Sequence, residues 1–121
     1  MQQDTIRLSV PAEPAYARAV RMMAANLAVV ADMGVDDVED LRMAAEEGFV
    51  YSCATEPSTS DVFFSVGAGS ISMEFSLGDA TSDDPALAYA DLLLSAVCDD
   101  YEADRDAHVL RLTKRAGGAD E

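Results

Sequence analysis

The sequence predicts an α/β (α+β) two-layer sandwich, with a mixed, mainly antiparallel sheet of about four strands carrying three helices on one face in the order β-α-α-β-β-α-β. Three observations predict it. Residues 5–10 and 70–77 alternate apolar and polar side chains, the period of a half-buried strand. Three longer segments repeat apolar residues every three or four positions, the period of an amphipathic helix. With 121 residues, 50% of them hydrophobic, the chain fills one core and makes one domain.

Taken in order, Ile6, Leu8 and Val10 share one side of the first strand, Arg7 and Ser9 the other, and Pro11 and Pro14 close it. From Ala15 to about Met33 the stripe Tyr16, Val20, Met23, Leu27, Val30 marks the first helix, with Gly34 as its stop. The second helix is expected to start at Asp36, whose carboxylate caps the first turn while Glu39 reaches back. Its stripe is Val38, Leu41, Ala45 and Gly48, and the small Ala44, Ala45 and Gly48 allow a close neighbour. Residues 56–60 are turn chemistry. Two strands, 61–66 and 70–77, joined through Gly67-Ala68-Gly69, read as a hairpin. In the second, Ile71, Met73, Phe75 and Leu77 oppose Ser70, Ser72, Glu74 and Ser76, so one sheet face is core and the other is not. Asp84 as cap and Pro85 at the first helical position open the third helix, with the stripe Leu87, Ala90, Leu94, Val97, Tyr101. The acidic stretch 99–106 ends it, and residues 107–113 form the last strand. The domain spans residues 1–115, and 116–121 read as a flexible tail.

Charge limits the functions this domain can have. Twenty-three acidic residues against eight basic ones give a net charge of −15 and a pI near 4.1. Affinity for phosphate backbones comes mainly from Lys and Arg, so nucleic acid is not an expected partner, and anionic membranes are disfavoured for the same reason. The longest apolar stretch, residues 19–31, contains Arg21 and Asn26 and falls short of the roughly 20 residues needed to cross a bilayer. No basic segment followed by an apolar run opens the chain, so a cytoplasmic location is expected. Cys53 and Cys98 form no CxxC pair and read as buried free thiols, and no metal-ligand spacing is visible.

The element order, the opening Ile6-Arg7-Leu8-Ser9-Val10-Pro11-Ala12, the run Asp36-Asp37-Val38-Glu39-Asp40-Leu41-Arg42-Met43-Ala44-Ala45-Glu46-Glu47 and the ending Leu110-Arg111-Leu112-Thr113-Lys114 together resemble the anti-sigma factor serine/threonine kinases of the Bergerat-fold, histidine-kinase-like ATPases. The resemblance implies an ATP site whose second helix carries a glutamate and, four residues on, an asparagine that holds Mg²⁺. Glu47 stands at the glutamate position, but Tyr51 stands at the asparagine position. A phenol is a weak ligand for a hard cation, and its ring fills the space the metal and phosphates need. After the strand ending at Leu77, the family's adenine-reading aspartate and glycines are represented only by Gly78-Asp79-Ala80. The family's long lid and glycine-rich turn are replaced by the seven residues 78–84, including Asp79, Asp83 and Asp84, and by Pro85. Carboxylates repel a triphosphate, and proline offers no N–H.

The resemblance therefore implies a degenerate member: a non-catalytic regulator that sequesters a sigma factor or an antagonist protein, with no cofactor and with Glu47 as a vestige. The alternative is a divergent kinase binding Mg-ATP in a shortened pocket with Glu47 as base. An unrelated α/β interaction domain is the third reading. The family is commonly dimeric, and the lightly charged second sheet face, with Arg7, Ser65, Ser72 and Glu74, reads either as a dimer or partner surface or as a wetted face. The acidic cluster Asp99, Asp100, Glu102, Asp104, Asp106 reads as a solvated helix end or as a dock for a basic partner. His108 has no nucleophile pattern beside it and reads as a packed or edge histidine; the six methionines read as core filler.

Overall fold

The structure, a computed structural model, describes residues 4–117. Strand β1 (Asp4–Val10) leads through a single 3₁₀ turn (Pro14–Tyr16) into helix α1 (Ala17–Val30). Helix α2 (Val35–Ala54) follows, then the hairpin β2 (Ser60–Gly67) and β3 (Ser70–Ser76), helix α3 (Pro85–Val97), β4 (Asp100–Asp104) and β5 (Val109–Arg115). The sheet order is β1-β2-β3-β5-β4 with every pairing antiparallel, and the helices cover one face. The two-layer class and the order of the expected elements hold. The sheet, however, has five strands rather than about four and contains no parallel pair.

The additional strand is β4, which takes up most of the acidic stretch expected to end the third helix. Tyr101 and Ala103 point to the core side, paired with Leu112 and Leu110, while Asp100, Glu102 and Asp104 point to the helix-free face. Tyr101 is thus a strand residue rather than the end of the α3 stripe; of the other four members Ala90 and Leu94 are buried, and Leu87 and Val97 are partly so. Asp84 caps α3 as expected, its carboxylate accepting from the Ala86 N–H at 2.9 Å.

Two helix ends differ from expectation. Helix α1 stops at Val30, and Asp32, not Gly34, takes the left-handed turn, with φ +61°. The Asp32 and Met33 N–H groups donate to the carbonyls of Val29 and Ala28, so the last turn closes on itself and buries Met33. Of the expected α1 stripe, Val20 is buried and Met23 and Leu27 are partly so, whereas Tyr16 and Val30 face solvent. The inward positions are Val20, Ala24 and Ala28, whose small size sets α1 close to α2. Helix α2 begins one residue early, at Val35, with Gly34 at the cap and no side-chain cap bond. Asp36 lies within its first turn, and Glu39 pairs with Arg42 at 2.7 Å.

Helix α2 is the centre of the packing. Leu41, Ala44, Ala45, Gly48 and Phe49 are buried against the sheet face made by Val62, Phe64, Ile71, Met73, Phe75, Leu110 and Leu112. Gly48 is required: a Cβ there would lie 2.6 Å from the buried Phe75 ring. One turn on, the buried Ser52 hydroxyl donates to the Ser76 carbonyl at 2.6 Å and bonds the Ser60 hydroxyl at 2.9 Å, fixing α2 to both hairpin strands. At its other end α2 is held by Lys114 of β5. The ammonium donates to the Val97 carbonyl (3.1 Å) and lies 3.2 Å from Asp40 and 4.0 Å from Asp37, so one side chain joins β5, α2 and the end of α3. Asp37 also accepts from the Gly117 N–H at 2.9 Å, and the Ala116 N–H donates to the Gly69 carbonyl. Both residues belong to the expected tail; 118–121 lie outside the described residues.

Gly48→Ala should lower stability by about 2 kcal/mol in urea denaturation. Overpacking costs roughly 1–3 kcal/mol and outweighs the gain of up to about 1 kcal/mol in helix propensity. A partial rescue by Phe75→Leu in the double variant identifies the ring as the cause. Lys114→Met keeps the aliphatic stem but leaves Asp37, Asp40 and the Val97 carbonyl without their cation. Since the site is not fully sealed, a loss of about 2–3 kcal/mol is expected by the same measurement, somewhat below the cost of opening a fully buried pair.

Candidate functional site

The positions singled out by sequence fall into three places. Glu47 and Tyr51 are four apart on α2 and share a side of the helix. Glu47 is partly buried, and burial, with the neighbouring Glu46 charge, holds its carboxyl above the ordinary value of 4.5. Glu46 is paired with Arg21 of α1 at 3.2 Å. The Tyr51 ring packs against the core near Tyr101 of β4. Tyr101 in turn donates its hydroxyl to Asp91 of α3 at 2.8 Å, and burial together with that bond pushes the phenol well above its usual range. Cys98 lies in the same region, at the end of α3. Tyr51, Tyr101 and the Cys98 thiol therefore meet, partly buried, where α2, α3 and β4 come together.

The second place follows β3. The Gly78 N–H donates to the Thr55 hydroxyl (2.8 Å), the Ala80 N–H to the Thr55 carbonyl (3.1 Å), and the buried Thr55 hydroxyl donates to the Ser52 carbonyl. A Cβ at Gly78 would lie 2.2 Å from the Thr55 carbonyl oxygen, so glycine is needed here for close approach. This fastens the strand exit to the end of α2. Asp79 points outward and meets His108 Nε2 at 2.6 Å, and Arg105 donates to the Ala80 carbonyl at 2.9 Å. An open polar cleft of about 370 Å³ lies beside them, lined by Glu56, Thr59, Asp61, Ser76, Asp79 and His108 among others. Of the remaining aspartates, Asp84 is committed to the α3 cap and Asp83 is exposed.

The third place is the helix-free sheet face, which brings together Glu74, Asp100 and Glu102. Arg111 lies between β3 and β4 and pairs with Glu74 (3.6 Å), Glu102 (3.4 Å) and Asp104 (3.8 Å); Arg115 pairs with Asp100 at 2.6 Å. Asp99 lies just before β4, and its carboxylate accepts from the Arg115 N–H at 2.6 Å. Towards the β1 edge, Arg7 lies over the Phe63 ring at 5.6 Å, and Asp61 bonds the Ser9 hydroxyl. Glu47 and Tyr51, on the helical layer, are on the opposite side of the sheet from this ladder. The roles of Arg111, Arg115, Thr55 and Tyr101 were not visible in the sequence. The alternation of Asp100, Glu102 and Asp104 with Tyr101 and Ala103 was the available signal for the acidic half of the ladder.

Burial pushes both Cys53 and Cys98 thiols up to about 11, so neither is a thiolate at neutral pH; both are free and partly buried. Among the described residues, no group of three or more His, Cys, Asp or Glu is arranged to hold a metal ion, and no helix is long and apolar enough to cross a membrane. Neither the family models nor the curated proteins compared with this chain give a match.

Glu47 keeps its proton to a higher pH in the folded protein than in the unfolded chain. It therefore favours folding on the acid side of its titration, and that contribution is lost as pH rises through the raised native value. Glu47→Gln should raise the urea midpoint at pH 7 and leave it nearly unchanged at about pH 4. Equal shifts at both pH values would mean that the gain is not electrostatic.

Proposed function

We propose that this chain is a non-catalytic regulatory domain resembling an anti-sigma factor, which sequesters a sigma factor or an antagonist protein in the cytoplasm without phosphoryl transfer. The observation that carries the reading is the packing of the Tyr51 ring. Where the resemblance calls for an amide holding Mg²⁺, a phenol ring packs against the core near Tyr101. The fastening of residues 78–80 onto Thr55 supports it as well, because the backbone donors of Gly78 and Ala80 are already used within the fold. Sequestration is then stoichiometric, through helix and sheet surfaces, and the acidic skin favours a partner with basic, DNA-facing patches. A second copy docking on the helix-free face belongs to the same reading.

One observation favours the alternative of a divergent ATP-dependent serine/threonine kinase. The Glu47 carboxyl is shifted upward, the direction a general base needs to work near neutral pH. Titration calorimetry with Mg-ATP separates the two. No binding heat is expected, and micromolar binding overturns the proposal in favour of the kinase. On the positive side, the purified protein should repress transcription by one sigma factor of its host, or bind that factor's antagonist. If transcription by every host sigma factor is unchanged and no complex forms, sequestration is excluded.

A further inference from the structure

Helix α3 is apolar on two sides but buries only one. Ala90 and Leu94 face the core, yet Tyr89 is 56% exposed and Leu92 69% exposed. With Pro85 and Ala96 they fall at intervals of four, three and four, a continuous stripe along the outer side of the helix. A helix face of this kind is the usual seat of another helix packed along it. What covers it is decided by charge. Asp83 and Asp84 precede the helix, its one charged residue, Asp91, is turned to the Tyr101 hydroxyl of β4, and the sequence carries no Lys or Arg anywhere between Arg42 and Arg105. The flanking Asp83 and Asp84 are exposed and have no cation within the helix or its lead-in. Two copies of α3 laid together would set acid against acid across a protein of net charge −15. The exposed apolar positions of α1, Met22, Val29 and Val30, do not select a partner in this way, since Arg18 and Arg21 share that helix.

We infer that the outer face of α3 is a docking surface for a basic amphipathic helix of a partner protein, with Tyr89 and Leu92 as the apolar anchors and the exposed Asp83 and Asp84 meeting Lys or Arg at its N-terminal end. This rests on the protein-binding reading above and names the chemistry of the partner. Tyrosine is among the residues in which binding energy concentrates when a partner desolvates it, and Leu92 beside it adds apolar area. The acidic end adds attraction at long range and a preference for cationic partners.

The test uses the full chain, ¹⁵N-labelled, and two synthetic helical peptides with the same leucine face, one flanked by lysine and the other by glutamate. The lysine peptide should move the amide signals of Ala88, Tyr89, Leu92 and Ala96. Its affinity should fall with salt, and by about tenfold in Leu92→Glu and in Tyr89→Ala. Both positions are exposed, so each variant should keep the native spectrum. Equal binding of the two peptides, or wild-type affinity in both variants, overturns the inference. So does a shift pattern confined to the helix-free sheet face, or concentration-dependent broadening of the α3 signals without peptide, which would make a second copy the occupant. A Leu92→Glu protein that still represses its sigma factor at wild-type strength removes this surface but leaves the proposed function standing. Mg-ATP binding with intact peptide binding does the reverse.

Discussion

At Gly48, helix α2 rests on the ring of Phe75 with no room for a methyl group, and this close approach fixes the spacing between the two layers. Everything around it is scaled to match. Ala44 and Ala45 keep the same side of α2 small, Ala24 and Ala28 do the same for α1, and Ser52 reaches the β3 backbone without a longer side chain intervening. Lys114 and Asp37 tie down the opposite end of the helix. A helix held at both ends and flattened in the middle leaves little freedom for the residues it carries. Glu47 and Tyr51 are thus set in place by packing that has nothing to do with chemistry.

That fixed spacing explains the character of the candidate site. The seam between α2, α3 and β4 holds the Tyr51 ring, the hydrogen-bonded Tyr101 and the Cys98 thiol, and burial favours the neutral forms of the last two. A highly charged ligand has no counter-charge there, since the nearest ammonium, Lys114, is engaged by Asp37, Asp40 and the Val97 carbonyl. The basic side chains of the C-terminal strand pair are similarly occupied on the other face, where Arg111 and Arg115 balance the acids of β3 and β4. With the cations of β5 committed internally, the molecule around that strand presents carboxylates outward, next to the apolar stripe of α3.

What could be read from sequence was what is local. The α3 cap needs only Asp84 and the residue two along, and the alternation in β3 is clear because its polar members are mostly serines that neither dominate the charge nor mimic a turn. What could not be read depends on distant partners. Asp37 looks like an ordinary first-turn acid until β5 supplies Lys114 and the chain beyond it, 80 residues on, supplies the Gly117 N–H. Strand β4 was hidden because its period of two is written in acids, which by themselves indicate a solvated run. The end of α1 differs from the sequence expectation because glycine is the usual left-handed residue, whereas Asp32, a less common occupant, takes that conformation here. For the site, the resemblance marked Glu47 and Tyr51, but the part played by Thr55 follows from a three-dimensional approach that no spacing encodes.

Strand β4 also has a consequence for the life of the protein in a crowded solution. A sheet ends in unpaired backbone groups that invite another chain to add itself, and β5, with Leu110 and Leu112, would be a ready template if it were the outermost strand. Instead the outermost strand on that side is only five residues long, and three of those are acids that any approaching edge would have to desolvate or neutralise. The same short strand that completes the core with Tyr101 and Ala103 thus makes the edge opposite β1 a poor template for another copy of itself.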